Sequence, residues 1–450
     1  MDFGETRYRG IVSSVKNPGR IRRILTFSIR LMLLLGVLFG VGPSATPPRH
    51  ALTVQLAEVT APYRFDFVNW ESYALLDELN RRLSPPPVPA DTAAQTALVE
   101  AFLAREATRA DLERQLKRLY ALCPQRHANG CSAAQARQLA QLQSRQDRLT
   151  VWQTRLAPLV ETILARQTET ILRDEGFVWL GMVFPPVAFR FVDPPTALII
   201  SPRARIENRY FVPLRPGLDI PTRERIESAL DRRGDISSYV TDIGGLGSYP
   251  TMVIYHDSLT YLTETIAHEW THNYLFTFPT NIAWGYQTFP RLTTINETTA
   301  EIVGQEISRK LITRFYPDWV DKLPPLDEAG QPAPRPPSEF DLALRRIRRY
   351  VDQLLAGGKI EEAESYMEAE RQKLVAKGYS LRKLNQAYFA FHGSYAASPA
   401  SIDPTGPQLR QLRAASPSLQ AFLNRVGWLN SYQDYLAWLQ EAGLSPDPHK

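Results

Sequence analysis

The spacing of apolar positions divides this chain into blocks of different texture. In residues 93–121 and 132–173, leucines and other apolar residues recur at intervals of three and four, with few breakers apart from Pro158. That period predicts long helices packed antiparallel as a bundle or arm. At Phe177 the pattern shifts to short β-rich runs at 177–180, 187–192, 197–200 and 210–214, broken by Pro185-Pro186, Asp193-Pro194-Pro195 and Asn208. These predict strands of a small sheet. Residues 220–233 read as a helix with Pro221 near its start. Gly244-Gly245-Leu246-Gly247-Ser248-Tyr249-Pro250 then leads into an apolar strand at 251–255. Residues 259–276 contain neither Gly nor Pro and are apolar at Leu262, Ile266, Trp270, Tyr274 and Leu275. They predict a helix capped by Asp257 or Ser258 and stopped by Pro279. A second Pro-free helical run covers 297–315, and a helical hairpin is expected at 339–356 and 360–377 around Gly357-Gly358. Residues 409–442 are again helical. The fold class is α+β, mostly helical.

The first residues have another pattern. Residues 1–23 carry Arg7, Arg9, Lys16, Arg20, Arg22 and Arg23 against only Asp2 and Glu5. Residues 24–41 are then apolar apart from Thr26, Ser28 and Arg30, eighteen residues in all. That is just enough to span a bilayer. The basic flank places the N-terminus in the cytoplasm and the rest outside, as a single-pass anchor. A cleaved signal peptide, leaving a secreted protein, is the other reading, with Ala45 as the cut and Pro43 against it. The organisation is therefore 1–23 basic, 24–42 anchor or signal, 43–62 linker, 63–176 helical, 177–320 core, 321–338 Pro-rich linker and 339–450 C-terminal helical subdomain. The chain of 450 residues has a net charge of +5, and much of that excess lies in the N-terminal segment. No recognition-helix signature or aromatic-basic platform accompanies it, so nucleic acid is not an expected partner. Cys123 and Cys131 flank a turn-like loop. In an oxidising compartment they are disulfide candidates; a Cys-Cys-His127 metal site and two separate buried thiols are the alternatives.

The chemistry concentrates in His268-Glu269-Trp270-Thr271-His272. On a helix, His268 and His272 project from one face, where one metal ion can take both imidazoles. Glu269 sits beside them, placed as general base toward a water held at the metal. This is the zinc-hydrolase arrangement, with one Zn²⁺ as cofactor. Asn296-Glu297-Thr298-Thr299-Ala300-Glu301 follows, with Glu297 25 residues beyond His272. Glu297 and Glu301 share a helical face. One carboxylate can complete a three-ligand set, leaving a fourth position for water; the next can accept the far N–H of a ligand histidine. His256, twelve residues before His268, reads as bonded to Asp257 or a loop carbonyl.

H-E-x-x-H followed by N-E-x-x-[AS]-[DE] resembles the gluzincin clan of zinc metallopeptidases. The resemblance covers roughly residues 258–309 and implies a zincin-like core that hydrolyses peptides or proteins. It implies His268, His272 and Glu297 as ligands, Glu269 as base and Glu301 as the histidine's hydrogen-bond partner. It also implies that the last strand before the metal helix is a sheet edge, with residues 248–255 lining the cleft. Asn385, Tyr388, His392 and Tyr395 share one face of a later aromatic helix. Gluzincins supply a Tyr or His to the oxyanion from such a helix, which makes His392 and Tyr395 candidates; a core aromatic stripe is the plainer reading. Asn385-Gln386-Ala387 is weakly similar to an Asn-Asn-Ala-like stretch in a bacterial family of predicted zinc aminopeptidases. The expected function is a zinc metallopeptidase acting outside the cytoplasm. The alternative is a non-catalytic envelope protein that binds a partner through its helical regions.

Overall fold

The structure, a computed structural model, describes residues 51–122, 133–278, 282, 290–333, 336–393 and 404–445. The anchor or signal segment, Cys123, His127, Cys131 and Tyr395 lie outside them. Among the described residues, no helix is long and apolar enough to cross a membrane. The chain divides between Gln55 and Leu56, and the unit from Leu56 onward holds the sheets and the candidate site.

Helices α1 (Ala51–Thr60) and α2 (Phe67–Leu83) come first. Asp66 caps α2 by accepting from the Asn69 N–H. Helices α3 (Thr92–Leu122) and α4 (Ala133–Asp174) follow as a long pair. Among the described residues, Leu112, Leu116 and Leu142 are buried at their far end, with Leu119, Leu139 and Leu149 packed against them. Their near ends place Phe102, Val160, Ile163 and Leu164 in the main core. Two long helices thus lie where the spacing predicts them, and their near ends are part of the core.

Strands β1 (Val178–Trp179) and β2 (Met182–Val183) form a small hairpin. Strand β3 (Phe189–Phe191) is followed by β4 (Thr196–Pro202), β5 (Tyr210–Leu214), helix α5 (Ile220–Asp231) and β6 (Ile236–Thr241). The antiparallel sheet β5-β4-β6 is one unit. Segment 63–65 adds to its β5 edge, with Phe65 N–H donating to Pro213 and Arg215 N–H to Tyr63. Strands β7 (Gly245–Leu246) and β8 (Thr251–Val253) join β3 in a second sheet of order β3-β8-β7. Here the structure corrects the expectation. Strand β8, last before the metal helix, is the central strand, parallel to β3 and antiparallel to β7. The edges are β3 and the glycine-containing strand β7.

Helix α6 (Leu259–Phe276) has the expected bounds, with Ser258 Oγ accepting from Tyr261 N–H as its N-cap. Helix α7 (Pro290–Phe315) starts seven residues before the expected Glu297. Pro290 is a residue preorganised for a helix start. Helices α6 and α7 cross closely because Gly304 has no side chain. A Cβ there would lie 2.8 Å from the Glu264 carbonyl oxygen and 3.4 Å from His268 Cβ. Thr263 and Ser308 hydroxyls bond across the same interface at 2.6 Å.

The remaining helices are α8 (Glu339–Ala356), α9 (Ile360–Ala376), α10 (Gln386–His392), α11 (Thr405–Ala415), α12 (Leu419–Gly427) and α13 (Tyr432–Glu441). The α8–α9 hairpin has its own core around Ile347, Val351, Ala363 and Met367. Helices α11 to α13 add Leu409, Phe422, Leu423 and Tyr435 to the main core beside α6 and α7. A buried carboxylate ties the helical arm to the second sheet. Glu161 of α4 accepts the Phe191 N–H at 2.7 Å and pairs with Arg81 of α2. An unpaired charge there would be costly, so this network fixes where β3, and through it β8, sits.

Candidate metal centre

Two turns of α6 and one of α7 build the site. His268 and His272 lie one turn apart, their rings edge to face with centroids 4.8 Å apart. Their Nε2 atoms are 3.1 Å apart. Glu297 Oε2 lies 3.3 Å from His268 Nε2 and 3.6 Å from His272 Nε2. Among the described residues this is the group of His, Cys, Asp and Glu that could hold a metal ion, with all its donor atoms within 4.8 Å. The three spacings suit one small divalent ion. Donors about 2.0–2.1 Å from a tetrahedral ion are about 3.3 Å from each other. Three donors fill one face of that tetrahedron and leave one vertex open.

The donor charges favour a cation. Burial works against the ionised form of Glu297, but the charges of His272 and His268 and their hydrogen bonds outweigh it, holding the carboxyl at about 2. Burial also works against a charged His272. The charge and hydrogen bond of Glu297, with Glu269 and Asn296, push it up to about 9 instead. In the metal-free protein the raised His272 pKa stabilises the fold below about 6.5, and that contribution is lost as pH rises through about 9. A metal ion must displace the His272 proton. Apparent affinity for a divalent metal ion should therefore rise about tenfold per pH unit from pH 6.5 toward 9. Competition with a chromophoric chelator at several pH values measures this. Affinity that stays flat above pH 7 would contradict the coupling.

Asn296 has a role that motif reading did not give it. Its Oδ1 lies 2.8 Å from His272 Nδ1, and an amide oxygen only accepts, so Nδ1 keeps its proton and Nε2 faces the other donors. The signal was present, since Asn296 directly precedes Glu297 in the motif. Asn296→Ala is expected to lower the affinity for a divalent metal ion by roughly 10–100-fold while leaving the fold intact; the same chelator competition reads it. Glu301 lies one turn further on α7. The charges of Arg410 and His268 favour its ionised form, and Gln305 donates to it at 3.3 Å. Burial raises its carboxyl pKa.

Glu269 is 7 % exposed. Burial raises its pKa, the charges of His268 and His272 oppose that, and Glu297 adds to it. Strand β7 and the residue after it lie directly over this carboxylate. An added Cβ would be 2.6 Å from Glu269 Oε1 at Gly245 and 3.4 Å from Oε2 at Gly247. The loop after β7 is anchored on both sides. Asn273 Nδ2 donates to the Ser248 carbonyl at 3.1 Å. Tyr249 N–H donates to Glu71, and Arg82 donates to the Tyr249 hydroxyl, each at 3.2 Å.

The other candidates lie elsewhere. The His392 ring lies tilted against Tyr388 and Tyr239, with centroids 4.2 and 6.3 Å away, and burial pushes it down to about 4. Its described ring contacts are with these residues and Phe391, not with the three donors. Asn385 caps α10 by accepting from Tyr388 N–H, and its amide donates to the Ser238 carbonyl at 2.8 Å. Gln386 donates to the Arg203 carbonyl at 2.8 Å. His256 Nδ1 accepts the Ser258 N–H at 2.9 Å and lies 3.4 Å from Asp257, and its ring stacks on Tyr261.

Compared with known proteins, the chain matches no family model, no curated protein and no solved structure.

Proposed function

We propose that this protein is a zinc-dependent peptidase with a gluzincin-like catalytic core. The observation that carries the reading is the pairing of an open three-donor face with a buried carboxylate beside it. His268, His272 and Glu297 converge within 4.8 Å, and Glu269, next to His268 in sequence, is buried beneath Gly245 and Gly247 and within reach of the donors' charges. A structural zinc site is closed by four protein ligands and needs no base. The donor set of two imidazoles and one carboxylate fits zinc better than calcium or magnesium, which take oxygen.

A zinc ion held there supplies Lewis-acid polarisation and makes water acidic. The chain's own residues do the rest. Asn296 orients His272. Glu269 takes a proton from the attacking water and passes it to the leaving amine. Burial of Glu269 fits a base whose affinity for a proton lies above that of an ordinary surface carboxylate. The N-terminal pattern of residues 1–42 supports placing this activity outside the cytoplasm. His392, in its aromatic cluster, is not given a role.

Metal analysis of the purified protein tests the reading. We expect about one zinc per chain, lost in His272→Ala. Cleavage of a peptide mixture should stop with 1,10-phenanthroline and return with zinc. Cleavage indifferent to both would contradict it.

A further inference from the structure

We infer that Gly245, with Gly247, is a positioning residue: the glycine strand forms a fitted seat that fixes the Glu269 carboxylate beside the metal donors. The inference rests on the hydrolytic reading above and extends it. Neither glycine has a positive φ, so backbone conformation does not demand glycine at these positions. Closeness does. A Cβ at Gly245 would meet Glu269 Oε1 at 2.6 Å, Glu269 Cδ at 3.2 Å and the Met252 carbonyl oxygen at 3.1 Å. At Gly247 the nearest atoms are His272 Cβ at 3.3 Å and Glu269 Oε2 at 3.4 Å. At Gly244 a Cβ would fall 2.0 Å from the Tyr261 hydroxyl oxygen. Tyr261, Glu269 and His272 lie on one face of α6, so Gly244, Gly245 and Gly247 match a row of α6 side chains.

The seat is also tied down. Strand β7 pairs with β8, and Asn273, Glu71 and Arg82 hold the loop after it. A methyl group at position 245 should therefore move the carboxylate and not the strand. To reach ordinary contact the carboxylate must shift by about 1 Å. A misplacement of that size can cost roughly 10²-fold in rate.

The test uses the full chain with zinc. In Gly245→Ala we expect kcat on a cleaved peptide to fall roughly 10²-fold, with KM and zinc content little changed. Gly247→Ala should lose less. Gly357→Ala, whose added Cβ would meet only ordinary contacts at 3.5 and 3.6 Å, should lose nothing. A crystal structure of Gly245→Ala should show the Glu269 carboxylate displaced. Glu269→Asp supplies the cycle, since a side chain shorter by one methylene leaves room for the methyl. In that background Gly245→Ala should cost nothing further in kcat or Tm.

Full activity in Gly245→Ala, or losses that add in the double variant, would overturn the seat. If Gly245→Ala folds only in the Glu269→Asp background, the seat is supported. If it folds in neither, the clash is with Met252 and the seat is overturned. Should the wild type cleave no peptide, the hydrolytic reading falls by itself. The carboxylate position in the Gly245→Ala structure then still decides the seat, by displacement or its absence.

Discussion

Glu269→Gln is expected to remain folded and to bind zinc as tightly as the wild type, while peptide turnover falls by roughly 10²–10⁴-fold. The amide has the shape of the carboxylate and fits under Gly245 and Gly247, where the space is already filled by the Glu269 side chain. What it lacks is a basic oxygen. The donors His268, His272 and Glu297 are untouched, and their mutual spacings of 3.1 to 3.6 Å do not depend on residue 269. Metal content and rate should therefore separate in this variant. Added zinc should restore nothing. Undiminished turnover would remove Glu269 from the reaction and with it the proposed mechanism.

Glu297→Ala should give the complementary result. Its carboxylate lies between the two imidazoles, and it supplies the charge that holds His272 up at about 9. Without it, one of three donors is gone. Four-ligand zinc sites bind with about 10–16 kcal/mol, so one donor carries about 3 kcal/mol, on the order of 10²-fold in affinity. Activity should vanish at limiting zinc and return in part at high zinc, unlike that of Glu269→Gln. Isothermal titration with zinc, alongside rates at two zinc concentrations, distinguishes the two variants. Wild-type zinc affinity in Glu297→Ala would take Glu297 out of the ligand set.

The metal helix is the most legible part of the chain. A Gly- and Pro-free run, a serine cap and apolar residues at helical spacing are local signals, and α6 runs from Leu259 to Phe276 as they predict. The start of α7 is less legible. Thr293, Thr294 and Ile295 are β-branched and weaken the helical signal, yet burial against α6 makes that stretch helical from Pro290. Strand β7 is not legible as a strand. Glycine has low β propensity and carries no alternating pattern; its fit to Glu269 emerges only when α6 lies beneath it. Asn296 is visible in the motif, but its role needs the distance to His272. The pairing of 63–65 with β5 joins segments about 150 residues apart, and no local pattern announces it. In the aromatic helix, the spacing of Tyr388 and His392 gives their shared face, but Asn385 is the extended cap before it, and a period cannot say what the face meets. Here His392 meets Tyr239 and Tyr388.

The most direct measurement is a product map. The full chain, loaded with zinc, is incubated with a diverse peptide mixture beside a Glu269→Gln control, and the products are identified by mass spectrometry. The account predicts zinc-dependent products that are absent or greatly reduced in the control; single terminal residues would mark an exopeptidase and internal cuts an endopeptidase. A folded, zinc-loaded wild type that yields the same peptides as its Glu269→Gln control would contradict the claim that this centre hydrolyses peptide bonds.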